Sequence, residues 1–188
     1  MGRWEPNARE RLTEAALELY SERGYEQTPV AEIAKRAGLT ERTFFRHYAD
    51  KREVLFAGAG ALRDLFVTAV AEAPQSAAPI DAMAAGLNAV SEMFAGRREQ
   101  SRRRQAVIVA NAELQERELI KLASIASALA DALRRRGVTD PAASLTAEAG
   151  VAVFKIGFEL WITASEEREM SQLMRELLDE LKAVTARA

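Results

Sequence analysis

Apolar residues recur along the chain at helical spacing, and no useful stretch alternates apolar and polar residues as a strand would. Leu12, Ala15, Ala16, Leu19 and Tyr20 fall at i, i+3, i+4, i+7 and i+8, which predicts a helix closed at Gly24. Thr28-Pro29 predicts the next start, a hydroxyl cap followed by proline at the first helical position. Val30, Ile33, Ala34 and Ala37 carry that stripe to Gly38. Thr40 is the expected cap of a third short helix, Glu41–Tyr48. Asp50 is the expected cap of a longer one reaching about Ala73, with Val54, Leu55, Leu62, Leu65, Phe66 and Val70 inward. Proline at 74 and 79 then breaks the pattern.

The remainder is also helical. Ile80, Met83, Leu87, Val90 and Phe94 form one stripe that stops near Gly96. Helices are predicted at about Arg98–Ala110, at Glu113–Arg136 with Gly137 closing it, at Ala142–Ala164 after Pro141, and from Met170 to Val184. Ala142–Ala164 is apolar on two sides, Leu145, Ala149, Ala152, Ile156 and Leu160 on one and Phe154, Phe158 and Trp161 on another. Glu148, Lys155 and Glu159 interrupt it, so it reads as a buried helix and not a membrane span. A helix apolar on two sides needs cover on both. That predicts a homodimer in which this helix and the last one from each copy form a four-helix interface. The expected fold is all-α: a helix-turn-helix, three-helix head over residues 1–52 and a helical ligand-binding and dimerisation body over 53–188.

Composition removes other classes. There is no cysteine and only one histidine, and no Gly-x-Ser-x-Gly, phosphate loop or metal-spaced cluster occurs. No catalytic residue, metal or cofactor is expected, and an enzyme is disfavoured. No apolar signal core follows Met1–Pro6, so a cytoplasmic protein is expected. Net charge is −2, yet Lys35–Arg52 holds six basic side chains against two acidic ones. A basic window on an acidic chain is the footprint of a local DNA contact. Another basic run, Arg97, Arg98, Arg102, Arg103 and Arg104, reads as a solvated helix face.

Two short helices joined by a glycine turn make a helix-turn-helix, whose second helix enters the major groove of double-stranded DNA. Phe44 and Tyr48 should face inward, and Arg42, Phe45 and Arg46 outward. Arg42 and Arg46, with Glu41 and His47, are the candidate base readers, since arginine takes guanine bidentately and glutamate accepts from cytosine. Thr28, Thr43 and Lys51 are candidates for phosphate, and Thr40 completes the DNA-binding set. In the body, Phe66, Met83, Leu87, Phe94, Ile108, Phe154, Phe158 and Trp161 are candidates to line a cavity for a small hydrophobic effector, which the sequence does not identify.

The stretch Leu12–Phe56 carries Ala-Ala-Leu-Glu-Leu-Tyr, Arg-Gly-Tyr-Glu-Gln-Thr-Pro-Val, Ile-Ala-Lys-Arg-Ala-Gly-Leu, Arg-Thr-Phe-Phe-Arg-His-Tyr and Asp-Lys-Arg-Glu-Val-Leu-Phe. It resembles the N-terminal domain of the TetR family of bacterial repressors. Trp4 and the Thr-Phe-Phe-Arg variant resemble the branch that includes the mycofactocin-system regulator. The resemblance implies a homodimer on a palindromic operator, released when a small ligand binds the C-terminal domain. Phe45 stands where the family often has a tyrosine that touches phosphate; phenylalanine cannot make that bond and offers apolar contact instead.

Overall fold

A computed structural model describes residues 7–166 and 168–186, and the leader with Trp4 lies outside them. The described residues form nine α-helices and no strand: α1 (Ala8–Arg23), α2 (Val30–Arg36), α3 (Glu41–His47), α4 (Ala59–Glu72), α5 (Pro79–Met93), α6 (Arg98–Val109), α7 (Ala112–Arg135), α8 (Ala142–Thr163) and α9 (Met170–Ala186). They belong to two compact units. The first runs to Gly58 and includes Arg103–Glu118, so it extends past the expected boundary at residue 52 and takes in a distant segment. The second comprises Ala59–Arg102 and the chain from Leu119 onward.

In the first unit, α1 packs on α2 and α2 on α3 around Leu12, Leu19, Ile33 and Phe44, all fully buried. Gly24 closes α1 at φ 88° and donates its N–H to the Tyr20 carbonyl, a backbone state that a Cβ would strain. Two expected caps differ. Thr28 does not cap α2; its hydroxyl donates to the Gly24 carbonyl at 2.8 Å and the side chain is only 1% exposed. Pro29 occupies the cap position in extended backbone. Asp50 does cap the segment after it, accepting the N–H groups of Arg52 and Glu53 at 2.9 and 3.1 Å, but that segment is not α-helical.

Residues 51–58 instead wind through i→i+3 bonds, Leu55 to Arg52, Phe56 to Glu53 and Ala57 to Val54, and α4 begins only at Ala59. Val54, Leu55 and Phe56 are three consecutive buried side chains. The departure frees carbonyls that an α-helix would use. Arg104 donates to the Leu55 oxygen at 2.7 Å and Arg9 to that of Ala57 at 2.9 Å.

In the second unit, α5 packs against α4, α8 and α9, and the later part of α7 adds Ile125, Leu129 and Leu133 to the core. Close packing at this core depends on glycine. A Cβ at Gly150 would sit 2.5 Å from Met83 Cγ and closer still to its Sδ, and one at Gly86 would meet the Phe66 ring at 2.5 Å. The arginine run is not a free face here. Arg98 donates to the Ala164 and Glu166 carbonyls and Arg102 to that of Ile162, so both satisfy the carbonyl end of α8. Arg136 does the same for α4 through Ala71, Ala73 and Pro74. No helix among the described residues is long and apolar enough to cross a membrane.

Two alanine substitutions at helical glycines should act with opposite sign. Gly86→Ala should destabilise by about 1–3 kcal/mol, because overpacking against the rigid Phe66 ring and Val70 outweighs the gain in helix propensity. Gly60→Ala in α4, where a Cβ meets nothing within 4 Å, should stabilise by up to about 1 kcal/mol. Urea denaturation of the two variants beside the parent measures both.

Candidate nucleic-acid interface

The third helix is capped as its sequence requires. Thr40 Oγ1 accepts the Thr43 N–H at 3.2 Å, and the two hydroxyls share a hydrogen bond at 3.1 Å. Phe44 is fully buried and packs tilted on Tyr48 with ring centroids 5.6 Å apart. The Tyr48 hydroxyl reaches α1, meeting Thr13 Oγ1 at 2.9 Å and donating to the Arg9 carbonyl at 3.3 Å. With that side fixed, Glu41, Arg42, Phe45 and Arg46 form the exposed side of α3.

Most cations of the first unit are already committed. Arg36 is held by Glu18 and Glu22 of α1, which raises its pKa through those hydrogen bonds. Arg9 and Arg11 donate to carbonyls, and Arg23 faces Glu32 at 3.8 Å. Arg52 bridges Asp50 and Glu113, Arg103 pairs with Glu14, and Arg117 pairs with Glu53. Arg104 binds Glu118 at 3.1 Å beneath the Phe56 ring, where burial holds its pKa below the usual arginine value. Among the described residues of this unit, Lys35, Arg42 and Arg46 alone of the lysines and arginines have no intramolecular partner. Arg42 and Arg46 lie on the outer side of α3, and Lys35 is exposed on α2. Lys35 is not among the expected contacts, although it lies in the basic window; the sequence does not reveal which charges an internal carboxylate has taken.

Three expected contacts are placed differently. Lys51 turns inward: its ammonium donates to the carbonyls of Tyr25, Glu26 and Thr28 at 2.8, 3.2 and 3.3 Å and lies 4.3 Å from the Tyr25 ring centroid. Its three N–H groups are thus all used, and a phosphate would have to displace a carbonyl. The Thr28 hydroxyl hydrogen is likewise spent on Gly24, so the side chain as placed has no donor for phosphate. His47 is half-buried, with Nε2 enclosed and without a partner, unlike the fully presented Arg42 and Arg46.

The expected effector residues fall in both units. Phe66, Met83, Leu87, Phe154, Phe158 and Trp161 are buried in the second, with Phe94 packed on them. Phe94 is the hub, its ring centroid 5.4 Å from that of Phe158, 6.1 Å from Trp161 and 6.2 Å from Phe154. Ile108 is also buried, but it belongs to the first unit and not to this cluster. No group of three or more metal-ligating side chains comes together among the described residues.

Residues 12–57 match the profile of bacterial regulatory proteins of the tetR family, and residues 77–186 match that of the MftR C-terminal domain. The chain belongs to the TetR family. It is 39% identical over 82 residues to the HTH-type transcriptional regulator TcmR of Streptomyces glaucescens, a match covering 44% of this chain and 36% of that protein. The chain thus spans about a third of the length of that curated relative. Among solved structures, SmeT, the repressor of the Stenotrophomonas maltophilia multidrug efflux pump SmeDEF, superposes with TM-score 0.61 at 20% identity, covering 94% of this chain and 89% of SmeT. FadR from Bacillus subtilis, solved with stearoyl-CoA, superposes with TM-score 0.65 at 19% identity, covering 92% and 96%. These likenesses are of fold. The family is one of bacterial regulatory proteins, and α2 and α3 are the helix-turn-helix within the matched residues.

Asp50 gives this unit a pH dependence. Its carboxyl is held below the ordinary 3.8, first by the Arg52 guanidinium and then by the Glu53 and Arg52 N–H groups. A depressed folded-state pKa means that the stabilisation is complete above the unfolded value and is lost as pH falls through the folded one. Asp50→Asn should therefore lower stability at neutral pH by about 0.5–1 kcal/mol, allowing for solvent screening. The difference from the parent should close once the pH is well below 3.8, as read by urea titrations at the two pH values.

Proposed function

We propose that the protein is a ligand-responsive repressor that binds a palindromic operator as a homodimer and is released by a small hydrophobic effector held in the second unit. The observation that carries the DNA half is the pairing pattern: among the described residues of the first unit the uncommitted lysines and arginines are on the helix-turn-helix, and the others have a partner within the unit. An arginine with no internal partner keeps its fork for guanine O6 and N7. Arg42 and Arg46 are the proposed base readers, with Glu41 at the first turn. Lys35, Thr40 and Thr43 are the proposed phosphate contacts, which fix position without reading sequence. His47 and Lys51 support the helix and its approach more than they read DNA.

The dimer half rests on an apolar stripe. Along α8, Leu145, Ile156 and Leu160 are 66, 49 and 46% exposed, with Ala152 exposed between them, and Val184 of α9 is 54% exposed. Such a stripe on one helix fits burial against a second copy. The effector half rests on the aromatic cluster around Phe94, which has no charged member. SmeT has been solved with triclosan and the Bacillus subtilis FadR with stearoyl-CoA, ligands with large apolar parts, and the cluster suits a body of that kind. Release follows if the effector alters the separation of the two recognition helices, which must match successive major grooves about 34–36 Å apart.

Selection of bound DNA from a random pool tests the reading and should return an inverted repeat; a pool with no enriched sequence would refute it. On the selected operator, Arg42→Ala should cost about 1–3 kcal/mol of discrimination at one base pair in each half-site. Lys35→Ala should weaken binding to all sequences alike and reduce the salt slope by about one.

Ile156→Asp should give a monomer in sedimentation velocity, because a charge at the centre of the stripe has no partner. It should also reduce affinity for the full inverted repeat far more than for a single half-site. A variant that still sediments as a dimer would place the interface elsewhere.

A further inference from the structure

Nothing in the fold calls for a phenylalanine at position 45. The side chain is 54% exposed on the outer side of α3, between the partnerless Arg42 and Arg46. Phe44, directly before it, carries the packing and is fully buried. The two rings meet edge to face, with centroids 5.4 Å apart at 81°, so a rigid buried ring supports the exposed one. Side chains on a helix lean toward its N-terminus, which sets the Phe45 ring over the turn holding Glu41 and Arg42. The ring is thus part of the reading surface and does not extend away from it.

Phenylalanine has no hydrogen-bonding atom, so it can neither donate to nor accept from a base edge or a phosphate. In the major groove the base edges present one apolar group, the C5 methyl of thymine. We infer that Phe45 is a specificity-determining residue that selects a thymine in each half-site through that methyl. The inference rests on the DNA-binding reading above and adds a base that no hydrogen bond of the protein would select. The spacing narrows the position. Residues three apart on a helix have Cβ atoms about 5–6 Å apart. Base pairs rise about 3.4 Å. The thymine therefore lies within about two base pairs of the guanine read by Arg42.

The test uses the full chain and the selected operator, synthesised without cytosine methylation so that thymine alone supplies a C5 methyl. Each thymine is replaced singly by uracil, which pairs identically and lacks only the methyl. With the parent protein, one thymine per half-site, within two base pairs of the guanine whose preference is lost in Arg42→Ala, should lose about three- to fivefold in affinity. Phe45→Ala should bind the thymine and uracil forms equally, whereas Phe45→Tyr should retain the discrimination because the ring remains. Far-ultraviolet circular dichroism should match the parent in both variants, since the position is exposed. An operator insensitive to uracil at every position would overturn the inference, as would a Phe45→Ala variant that keeps the parent's thymine preference. Either result leaves the regulatory reading standing. A failure to select any DNA would instead remove that reading and this inference with it.

Discussion

The first unit is organised around one ammonium group. Lys51 Nζ is held by three carbonyls of the α1–α2 loop and by the face of Tyr25, while the carbonyl of Lys51 accepts the Tyr20 hydroxyl at 2.7 Å. Tyr20 and Tyr25 meet edge to face, 5.2 Å between centroids. This knot fixes where α1 ends and therefore where α2 can start, and α3 takes its position from α2. Burial of the Tyr20 and Tyr25 hydroxyls pushes both pKa values well above the ordinary tyrosine range, which keeps them neutral and the knot intact through any physiological pH. A charge committed to the fold here is the reason that the proposed base readers are the arginines of α3, before it in the chain.

Helix starts and stops are largely legible in the sequence because local chemistry sets them. Gly24, Thr40, Pro79 and Pro141 all stand at or beside the termini that their residue types predict. The 51–58 segment is not legible, since its apolar residues satisfy helical spacing and Asp50 is a sound cap. The inward-facing Phe44 and Tyr48 and the outward-facing Arg42, Phe45 and Arg46 follow from periodicity alone. Which arginines remain partnerless does not, because the carboxylates of Glu18, Glu22, Glu113 and Glu118 come from far along the chain. The basic run of α6 misleads for the same reason: its partners are the carbonyls that close α8 and the groups around Leu55, and a charge pattern says nothing of carbonyls.

The second unit replaces bulk by fit. Gly150 and Gly157 each leave a notch in α8, filled by Met83 and Met174 respectively. Methionine adapts its shape with little penalty, so a core of this kind can admit a guest by moving thioethers and not backbone. The aromatic rings around Phe94 supply broad apolar area beside those notches. The proposed effector site would draw on both the buried rings and the adaptable thioethers.

The segment Arg103–Glu118 has one more consequence. Because it belongs to the first unit, the unit that carries the helix-turn-helix is discontinuous along the chain. During synthesis its N-terminal helices emerge long before the pieces that supply Arg104, Glu113 and Arg117. The ion pairs of Arg52 and Glu53 close only after a further stretch of polypeptide, longer than the helix-turn-helix itself, has left the ribosome. The 51–58 turns that follow the helix-turn-helix therefore gain their last anchors late, with the rest of the chain, and a transplanted N-terminal segment would arrive without those anchors.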